Sequence, residues 1–420
     1  MSQSTEELHK KHVLIFEGSI VRLGPSEISF ATISAFNTIY GPLSDRNTTK
    51  SGSLQGLFIS LVTEITQPMI SQFNKQNHKE VRTDLRPIFD EMVRGPQESV
   101  HNDIFNKHPI HLPSLTGEEV SFNLSSYLDV LLWDLAGGVV LGHELPERAK
   151  GRSLFQKIVR AIAGIAEWPG MKGMTLLQAS HFIDATRDNT WEAESAHSNF
   201  KDRLTSGTIT DLRLTPSEVK ANIVMLAGAG YETSKTTVNN AFYFLLRDPA
   251  AFRAVREELK SNFQTRGEIS DQKLISLPYL NACINESLRL MPPVNGKVMQ
   301  RVSCGTTIDG VYVPKGVAVS ADNFSMHRSP LYWEHPESFR PERWIDKQST
   351  DNFRAFRAFS SGPRACPGRL MALQTARLTL AKMIWLYDLE MINDPIEWEQ
   401  AAKSGFVWTL PDLYVRVTSS

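Results

Sequence analysis

A turn-rich stretch near the C-terminus constrains this chain more than any other part of it. Residues 359–369 read Phe-Ser-Ser-Gly-Pro-Arg-Ala-Cys-Pro-Gly-Arg. The central Gly-Pro pair predicts a tight turn, and Pro367 suits the first position of a helix. From Leu370 to Leu386 the apolar residues then recur at helical spacing. The pattern therefore predicts a loop that brings Cys366 to the N-terminus of a helix.

The predicted position of Cys366 suits a thiolate. At a helix N-terminus, backbone N–H groups and the positive end of the helix dipole favour the thiolate over the thiol. A thiolate is a ligand for haem iron, and Arg364 adds a cation that could bind a haem propionate. A single cysteine near a helix start is more often a buried structural thiol, so both interpretations stay open on these residues alone.

The complete pattern Phe-x-x-Gly-x-Arg-x-Cys-x-Gly, from Phe359 to Gly368, resembles the haem-binding signature of the cytochrome P450 family. The resemblance implies a mainly α fold with a small β-sheet subdomain. It also implies haem b with Cys366 as the axial ligand, and haem contacts from Phe359 and Arg364. Electrons would come from NADPH through a reductase.

Composition fits a globular enzyme. The chain has 420 residues, of which 41% are hydrophobic and 22% charged, and its net charge is −1. We therefore expect no nucleic-acid partner. The three cysteines have no zinc-ligand spacing and cannot form a complete disulfide framework, which favours a reducing compartment. We expect residues 1–17 to form a polar N-terminal segment without an anchor and residues 18–420 to form a single catalytic domain.

The sequence contains no convincing membrane span. Its most apolar run, Tyr127 to Leu141, is short and carries Asp129 and Asp134. The expected location is the cytoplasm, or the surface of the endoplasmic reticulum with at most peripheral membrane contact. We also expect a monomer.

Local patterns predict the order of the remaining elements. Helical spacing predicts helices over Leu54–Val93, Phe122–Leu141, Ser153–Glu167 and Leu280–Leu290. Alternating patterns bounded by turn residues predict strands at Ser19–Leu23, Glu27–Phe30, Lys297–Ser303 and Thr306–Ser320, and a last hairpin within Ser404–Val417.

A long central helix is the clearest helical prediction. Thr215-Pro216-Ser217-Glu218 is a capping box with proline at the first helical position. The helix should run to about Arg247, before Asp248 caps the next one. Some 32 residues at about 1.5 Å each span about 48 Å, enough to cross a domain.

The middle of this helix has the sequence Ala-Gly-Ala-Gly-Tyr-Glu-Thr-Ser over residues 227–234. Each interior glycine costs about 1 kcal/mol relative to alanine, so the pair indicates either close helix packing or the approach of a flat macrocycle. The segment resembles the oxygen-activation segment of the family. This implies Glu232 and Thr233 as the catalytic acid and alcohol of a proton relay, Gly230 beside the haem and Ala229 in the pocket above the iron.

Two further sets of charged residues gain meaning from the resemblance. His78 and Arg82 lie one turn apart on one helical face, which alone would indicate a solvated surface; the resemblance implies that they and Arg301 hold the haem propionates. Glu286, Arg289 and Arg343 match the family's Glu-Arg-Arg triad, which would lock a helix to the cysteine loop. A pair of such charges on a solvated helix is the alternative.

The motifs occur in the family's order between residues 78 and 369. The resemblance implies a haem-thiolate monooxygenase that inserts one oxygen atom from O₂ into an apolar small molecule. A fungal secondary metabolite, such as a terpenoid, polyketide or alkaloid, is the expected substrate, and an NADPH–cytochrome reductase the expected partner. The expected substrate pocket also includes Val294, Val298, Phe406 and Val407.

Three other functions are alternatives to a monooxygenase. A haem-thiolate peroxygenase or isomerase would need no external electrons, but relatives with such chemistry often lack the acid and alcohol present here. A haem-binding protein without turnover is the third alternative.

We expect His327 to be structural. A reductase-docking surface is expected at the arginines Arg82, Arg86, Arg354, Arg357 and Arg369, of which Arg354 and Arg357 should be exposed.

Overall fold

The computed structural model describes residues 19–50, 69, 74–94, 97–110, 120–141, 216–294, 299–393, 397–404 and 407–419. The helices in these ranges are α1 Ile33–Tyr40, α2 Lys75–Arg94, α3 Gln97–Lys107, α4 Leu124–Leu141, α5 Pro216–Arg247, α6 Pro249–Asn262, α7 Asp271–Leu274, α8 Pro278–Leu290, α9 Asn323–His327, α10 Arg369–Leu386 and α11 Trp398–Ala401. The strands are β1 Ile20–Gly24, β2 Glu27–Phe30, β3 Thr48–Lys50, β4 Val120–Asn123, β5 Arg301–Ser303, β6 Thr306–Ile308, β7 Val311–Val313, β8 Ala318–Ala321, β9 Tyr387–Met391 and β10 Tyr414–Ser419. The chain is mainly helical with small sheets, which confirms the predicted fold class.

Contacts divide the chain into two compact units. Unit 1 comprises Met1–Ser51, His108–Asp129 and Glu232–Ser420, and unit 2 comprises Gly52–Lys107 and Val130–Tyr231. The three sheets formed by described residues belong to unit 1, whereas the described part of unit 2 contains helices and no strand. The expected single catalytic domain over residues 18–420 stays a prediction.

The largest sheet of unit 1 has five strands in the order β1-β2-β8-β5-β3. Strands β1 and β2 form the antiparallel hairpin predicted from the turn residues between them. β8 then joins β2 in parallel, with Glu27 opposite Ala318. Helix α1 covers this sheet, and the two elements share a core that includes Phe30, Phe36 and Val319.

Turn chemistry placed the short strands after residue 300 correctly. The two-residue turn between β6 and β7 has positive φ angles at both positions, 48° at Asp309 and 77° at Gly310. Gly316, before β8, has a φ angle of 92°. Such angles favour glycine and, to a lesser degree, aspartate and asparagine, which explains why these positions could be read from the sequence.

Two predictions near the three-stranded sheet β4-β10-β9 are correct only in part. The helix expected from Phe122 begins at Leu124, because Val120–Asn123 forms strand β4. The hairpin expected within Ser404–Val417 agrees with the described residues only in part: Thr409 forms an antiparallel bridge with Lys403, just before the segment, whereas β10 pairs with β4 and β9. Pairing with strands distant in sequence buries Leu413, Val415 and Val417, and a local pattern cannot reveal such partners.

The described part of unit 2 packs helices closely. A Cβ placed on Gly138 of α4 would lie 2.7 Å from a methyl group of Val100 on α3, so a larger residue would require the Val100 side chain to shift. The rings of Trp133 and Tyr231 meet edge to face, with centroids 5.0 Å apart. The helices predicted within residues 54–68 and over Ser153–Glu167 lie outside the described residues. Among the described helices, none is both long and apolar enough to cross a membrane.

The central helix α5 runs from Pro216 to Arg247, as the sequence predicts. The expected cap at Thr215 lies outside the described residues. At the other end, the Asp248 side chain accepts hydrogen bonds from the backbone N–H groups of Ala250 and Ala251 and so caps α6, which confirms that prediction.

Candidate active site

The loop before α10 is held by backbone hydrogen bonds. The N–H of Cys366 donates to the carbonyl of Phe359 at 2.9 Å, and the N–H of Ala365 donates to the carbonyl of Gly362 at 3.1 Å. Gly362–Arg364 forms a single 3₁₀ turn. The predicted tight turn is confirmed, and it presents the Cys366 thiol at the exposed surface of the loop.

The start of the following helix differs from the prediction. Helix α10 begins at Arg369 with Gly368 as its N-cap, so Pro367 does not occupy the first helical position. The Gly-Arg pair that follows the proline supplies the cap and the first turn instead. Cys366 therefore precedes the helix by three residues, and the loop's backbone rather than the first helical turn positions it.

Gly362 is the residue that lets the loop approach α1. Its φ angle is 71°, and a Cβ at this position would lie 2.2 Å from the carbonyl oxygen of Tyr40. Any side chain would thus meet both an unfavourable backbone conformation and a backbone atom that cannot move aside. The glycine of the motif fixes where the loop lies on unit 1.

The cysteines have different environments. Burial raises the pKa of the Cys283 thiol well above its usual value, so Cys283 is an inert core residue. Cys304 and Cys366 are exposed, and none of the three forms a disulfide. No group of three or more histidine, cysteine, aspartate or glutamate side chains suited to a metal ion occurs among the described residues.

The residues before Cys366 fit an external acceptor such as a haem propionate. Arg357 Nε and Ser361 Oγ are buried and have no hydrogen-bond partner in the described part of the chain. A buried donor left without a partner costs about 1–3 kcal/mol. A ligand carboxylate could accept hydrogen bonds from these two groups and remove that cost. Arg364 is half-buried in the 3₁₀ turn, and the Arg369 guanidinium lies over the Phe359 ring, 5.8 Å from its centroid.

The middle of α5 has the features expected of a surface that faces a large ligand. A Cβ added to Gly230 would meet no atom within 4 Å, so close packing against described residues does not explain this glycine. Ala229 and Thr233 are half-buried. The helix is unbroken here, and Thr236 and Thr237 donate to the carbonyls of Glu232 and Thr233 at 2.9 Å and 2.8 Å, bonds that tend to bend a helix.

The carboxylate of Glu232 lies in an ion-pair cluster. Lys235 Nζ is 2.9 Å from Glu232 Oε2 and 3.2 Å from Asp129 Oδ1. All three side chains are mostly buried, with exposures of 11% for Glu232, 21% for Lys235 and 17% for Asp129. No local pattern in the sequence connects Asp129, on α4, with this group.

Glu286, Arg289 and Arg343 form one buried cluster. Their exposures are 0%, 0% and 4%, which excludes a solvated surface pair. Glu286 accepts a bidentate pair from Arg289, with both distances 2.9 Å, and a further bond from Arg343 Nε at 3.0 Å. Arg289 also donates to the backbone carbonyls of His327, Pro336 and Ser338.

Sequence reasoning missed two members of this cluster. Asp351 accepts a hydrogen bond from Arg343 Nη1, so the buried charges are two arginines and two carboxylates. Trp344 Nε1 donates to Glu286 Oε2 at 2.9 Å. Trp344 directly follows Arg343 in the segment Pro341–Trp344, but no local signal pointed to Asp351.

The remaining predicted residues lie in different surroundings. Arg301 is buried, donates to the carbonyls of Met299 and Gln300, and lies over the Tyr40 ring with its guanidinium 5.1 Å from the centroid. His78 is buried and Arg82 is half-buried, both on α2 of unit 2. Val294 is half-buried and Val407 is buried, whereas Val298 and Phe406 lie outside the described residues.

Arg357 is not the exposed residue that the sequence suggested. It is half-buried, and its guanidinium lies 5.7 Å from the centroid of the Phe36 ring. Burial and the nearby Arg354 lower the pKa of Arg357 below its ordinary value. Arg354, in contrast, is exposed as expected.

Comparison with known proteins connects this geometry to a family. The family model described as Cytochrome P450 matches residues 175–417. Cytochrome P450 monooxygenase aunB of Aspergillus niger is 36% identical, with 96% of this chain and 86% of that protein covered. Sesterfisheric acid synthase of Neosartorya fischeri is 34% identical, with 96% of this chain and 84% of that protein covered.

Solved structures agree on the fold. The crystal structure of the cytochrome P450DA haem domain matches with a TM-score of 0.78 at 16% identity, covering 98% of this chain and 92% of that one. Enzymes of this family hold haem through a cysteine thiolate and receive electrons from a redox partner. The chain therefore belongs to the cytochrome P450 family of haem-thiolate monooxygenases.

Proposed function

We propose that Cys366 is the axial thiolate of the haem and that the enzyme inserts one oxygen atom from O₂ into an apolar small molecule. The observation that carries the ligand assignment is the loop geometry. An exposed thiol stands on a loop closed by the bond from the Cys366 N–H to the Phe359 carbonyl. Ser361 Oγ within this loop and Arg357 Nε just before it are buried and have no hydrogen-bond partner among the described residues. Cys283 is buried and its raised pKa opposes thiolate formation.

The residues around the haem would have separate tasks. When bound, the haem supplies reductive activation of O₂, which a thiolate ligand favours. Glu232 and Thr233 hold and move protons through their carboxylate and hydroxyl groups, and Gly230 leaves room for the macrocycle. The propionates would bind to the hydrogen-bond donors of His78, Arg82, Arg301 and Arg364, and Phe359 would pack against the ring.

The proposed substrate is a fungal secondary metabolite of terpenoid, polyketide or alkaloid type. The fungal origin of the similar proteins supports this choice. The pocket would be formed by Ala229, Val294, Val298, Phe406 and Val407, which are small or apolar side chains. An NADPH–cytochrome reductase would supply electrons, and the monomeric state and peripheral contact with the endoplasmic reticulum stay predictions.

A labelled-oxygen experiment tests the function. Candidate metabolites are first ranked by the substrate-induced shift of the haem absorption band, and those that bind are incubated with NADPH, a fungal reductase and ¹⁸O₂. We expect one ¹⁸O atom in the product and none without NADPH. A product that forms with H₂O₂ but not with NADPH, reductase and O₂ would indicate a peroxygenase, and a rearranged product without ¹⁸O would indicate an isomerase; either result contradicts the proposal.

A further inference from the structure

His327, the last residue of α9, is completely buried, and both of its ring nitrogens have backbone partners. Nδ1 lies 3.0 Å from the carbonyl oxygen of Arg289, and Nε2 lies 2.8 Å from the backbone nitrogen of Arg357. A backbone N–H can only donate, so Nε2 must accept. Nδ1 therefore carries the proton and donates to Arg289, and the geometry fixes one neutral tautomer.

The two partners of His327 belong to the buried charge cluster and to the cysteine loop. Arg289 is the central arginine of the cluster on α8. Arg357 begins the segment that leads to Cys366, and its carbonyl accepts from the N–H of Ser360 at 2.9 Å. Ser360 has a φ angle of 60°, so the chain turns sharply there. One imidazole thus connects the helix of the charge cluster to the start of the loop.

The surroundings of the ring keep it neutral. The His327 ring stacks on Phe356, with centroids 5.4 Å apart, and the charged groups that face it are the cations Arg289, Arg328 and Arg357. Burial and these cations lower the pKa of His327 from 6.5 to about 3. A second proton on the ring would set two N–H donors against each other at Arg357.

We propose that His327 is a positioning residue for the haem-ligand loop: its neutral ring ties the Arg289 carbonyl to the Arg357 N–H and so fixes where the segment leading to Cys366 begins. This inference rests on the proposed role of Cys366 as ligand. The bond to Arg357 is the part that concerns the loop, whereas the bond to Arg289 anchors the ring.

Amide side chains can separate these two bonds. In His327→Gln the amide oxygen reaches about the position of Nε2 and can accept from Arg357. In His327→Asn the shorter amide reaches about the position of Nδ1 and can donate to Arg289 alone. His327→Leu fills the space with neither bond, and His335→Gln makes the same change at an exposed histidine as a control.

The readout is the fraction of haem that gives the red-shifted ferrous carbonyl band of a thiolate ligand, followed during mild heating. We expect wild type and His335→Gln to keep this fraction, His327→Gln to lose it no more than twofold faster, and the Asn and Leu variants to lose it at least fivefold faster. Equal loss in the Gln, Asn and Leu variants would overturn the proposal, because the side chain would then only fill space. A wild type without the band would instead contradict Cys366 ligation itself.

A pH profile adds an independent measurement. The unfolded chain binds a proton at His327 below about pH 6.5, whereas the folded chain does so near 3. Between these values acidification favours unfolding, by up to about tenfold in the unfolding equilibrium constant per pH unit. This contribution should be missing from His327→Gln, so the two profiles should converge as the pH falls. Parallel profiles between pH 7 and 5 would show that the ring is not held neutral and would also overturn the proposal.

Discussion

Lys235 Nζ lies 2.9 Å from Glu232 Oε2, so the acid of the proposed proton relay is ion-paired with a residue of its own helix, three positions later. The same ammonium is 3.2 Å from Asp129 Oδ1. A mostly buried carboxylate needs such a partner, because leaving it without water or a counter-charge is costly. The pair thus links the stability of α5 to the residue that would handle protons.

Replacing Lys235 with methionine should have two effects. The variant removes a counter-charge of Glu232 while keeping most of the apolar stem, so the free energy of unfolding should fall by about 1 kcal/mol, at the upper end for partly exposed pairs. A larger share of NADPH electrons should also end in H₂O₂ instead of product. Denaturant unfolding and product per NADPH measure these effects, with Lys347→Met at an exposed position as the control.

A double-mutant cycle with Glu232→Gln separates the pair from each residue's other contacts. We expect a coupling free energy of about 0.5–1 kcal/mol. A coupling energy indistinguishable from zero would mean that the two side chains act independently, and the change in electron use would then need another cause.

Cys366→Ser should abolish the red-shifted Soret band of the ferrous carbonyl complex, because serine cannot supply the thiolate. The band should persist in Cys304→Ser, which changes the other exposed cysteine. Absorption spectra of both purified variants provide the test. Survival of the band in Cys366→Ser would refute the ligand assignment.

Removing the carboxylate at the centre of the charge cluster should strongly lower the free energy of unfolding. Glu286→Ala leaves Arg289 and Arg343 without their shared partner, and breaking a buried pair in this way costs about 3–5 kcal/mol. The protein should be recovered with little haem. Haem content and denaturant unfolding measure the loss.

Asp351→Asn should be a milder change in the same cluster, and its loss of stability can be compared with that of Glu286→Ala. Arg343 keeps its bond to Glu286 and its bonds to the carbonyls of Glu334 and His335. The loss of stability should therefore be clearly smaller than in Glu286→Ala. If both variants lose the same amount, the cluster is not centred on Glu286.

The sequence was informative wherever a structure depends on neighbouring residues. Local capping chemistry explains why α5 ends at Arg247 and why Asp248 caps α6. The turn at Asp309 and Gly310 follows from the φ angles that those residue types tolerate. The family signature predicted the tight turn before Cys366 because that loop is a short, contiguous piece of chain.

The sequence was uninformative where partners are distant. Asp351 joins the charge cluster through folding alone, and β10 finds its partners in β4 and β9. The burial of Arg357 depends on Phe36, which lies more than 300 positions away. Charge and periodicity indicate whether a side chain is suited to burial or to an ion pair. The residue that contacts it is determined by the three-dimensional fold.

Gly362→Ala should prevent correct seating of the cysteine loop. A methyl group there would lie 2.2 Å from the Tyr40 carbonyl oxygen at a φ angle of 71°. Gly310→Ala is a matched control, since its φ angle is 77° but a methyl group would meet no atom within 4 Å. Backbone strain alone should cost about 1–2 kcal/mol in both, so only Gly362→Ala should lose most of its haem. Similar haem content in the two variants would show that the close approach is not needed.

Arg354 is the residue most suited to attract an acidic reductase. Arg354 is exposed in the 3₁₀ turn Phe353–Ala355, close in sequence to the cysteine loop, whereas Arg357 is half-buried. An acidic docking face would be attracted to Arg354, and salt would screen this attraction over about 10 Å at 0.1 M. Arg82 and Arg86 belong to unit 2, so their place on this surface stays a prediction.

Arg354→Glu should therefore slow NADPH-supported reduction of the haem several-fold at low salt and have little effect at high salt. Binding of substrate, measured by its spectral shift, should not change. Arg253→Glu, an equally large reversal at an exposed position of α6, is the control because it alters net charge by the same amount. Stopped-flow reduction at several salt concentrations measures the rates. If Arg253→Glu slows reduction as much as Arg354→Glu, the attraction reflects overall charge and no local docking surface exists at Arg354.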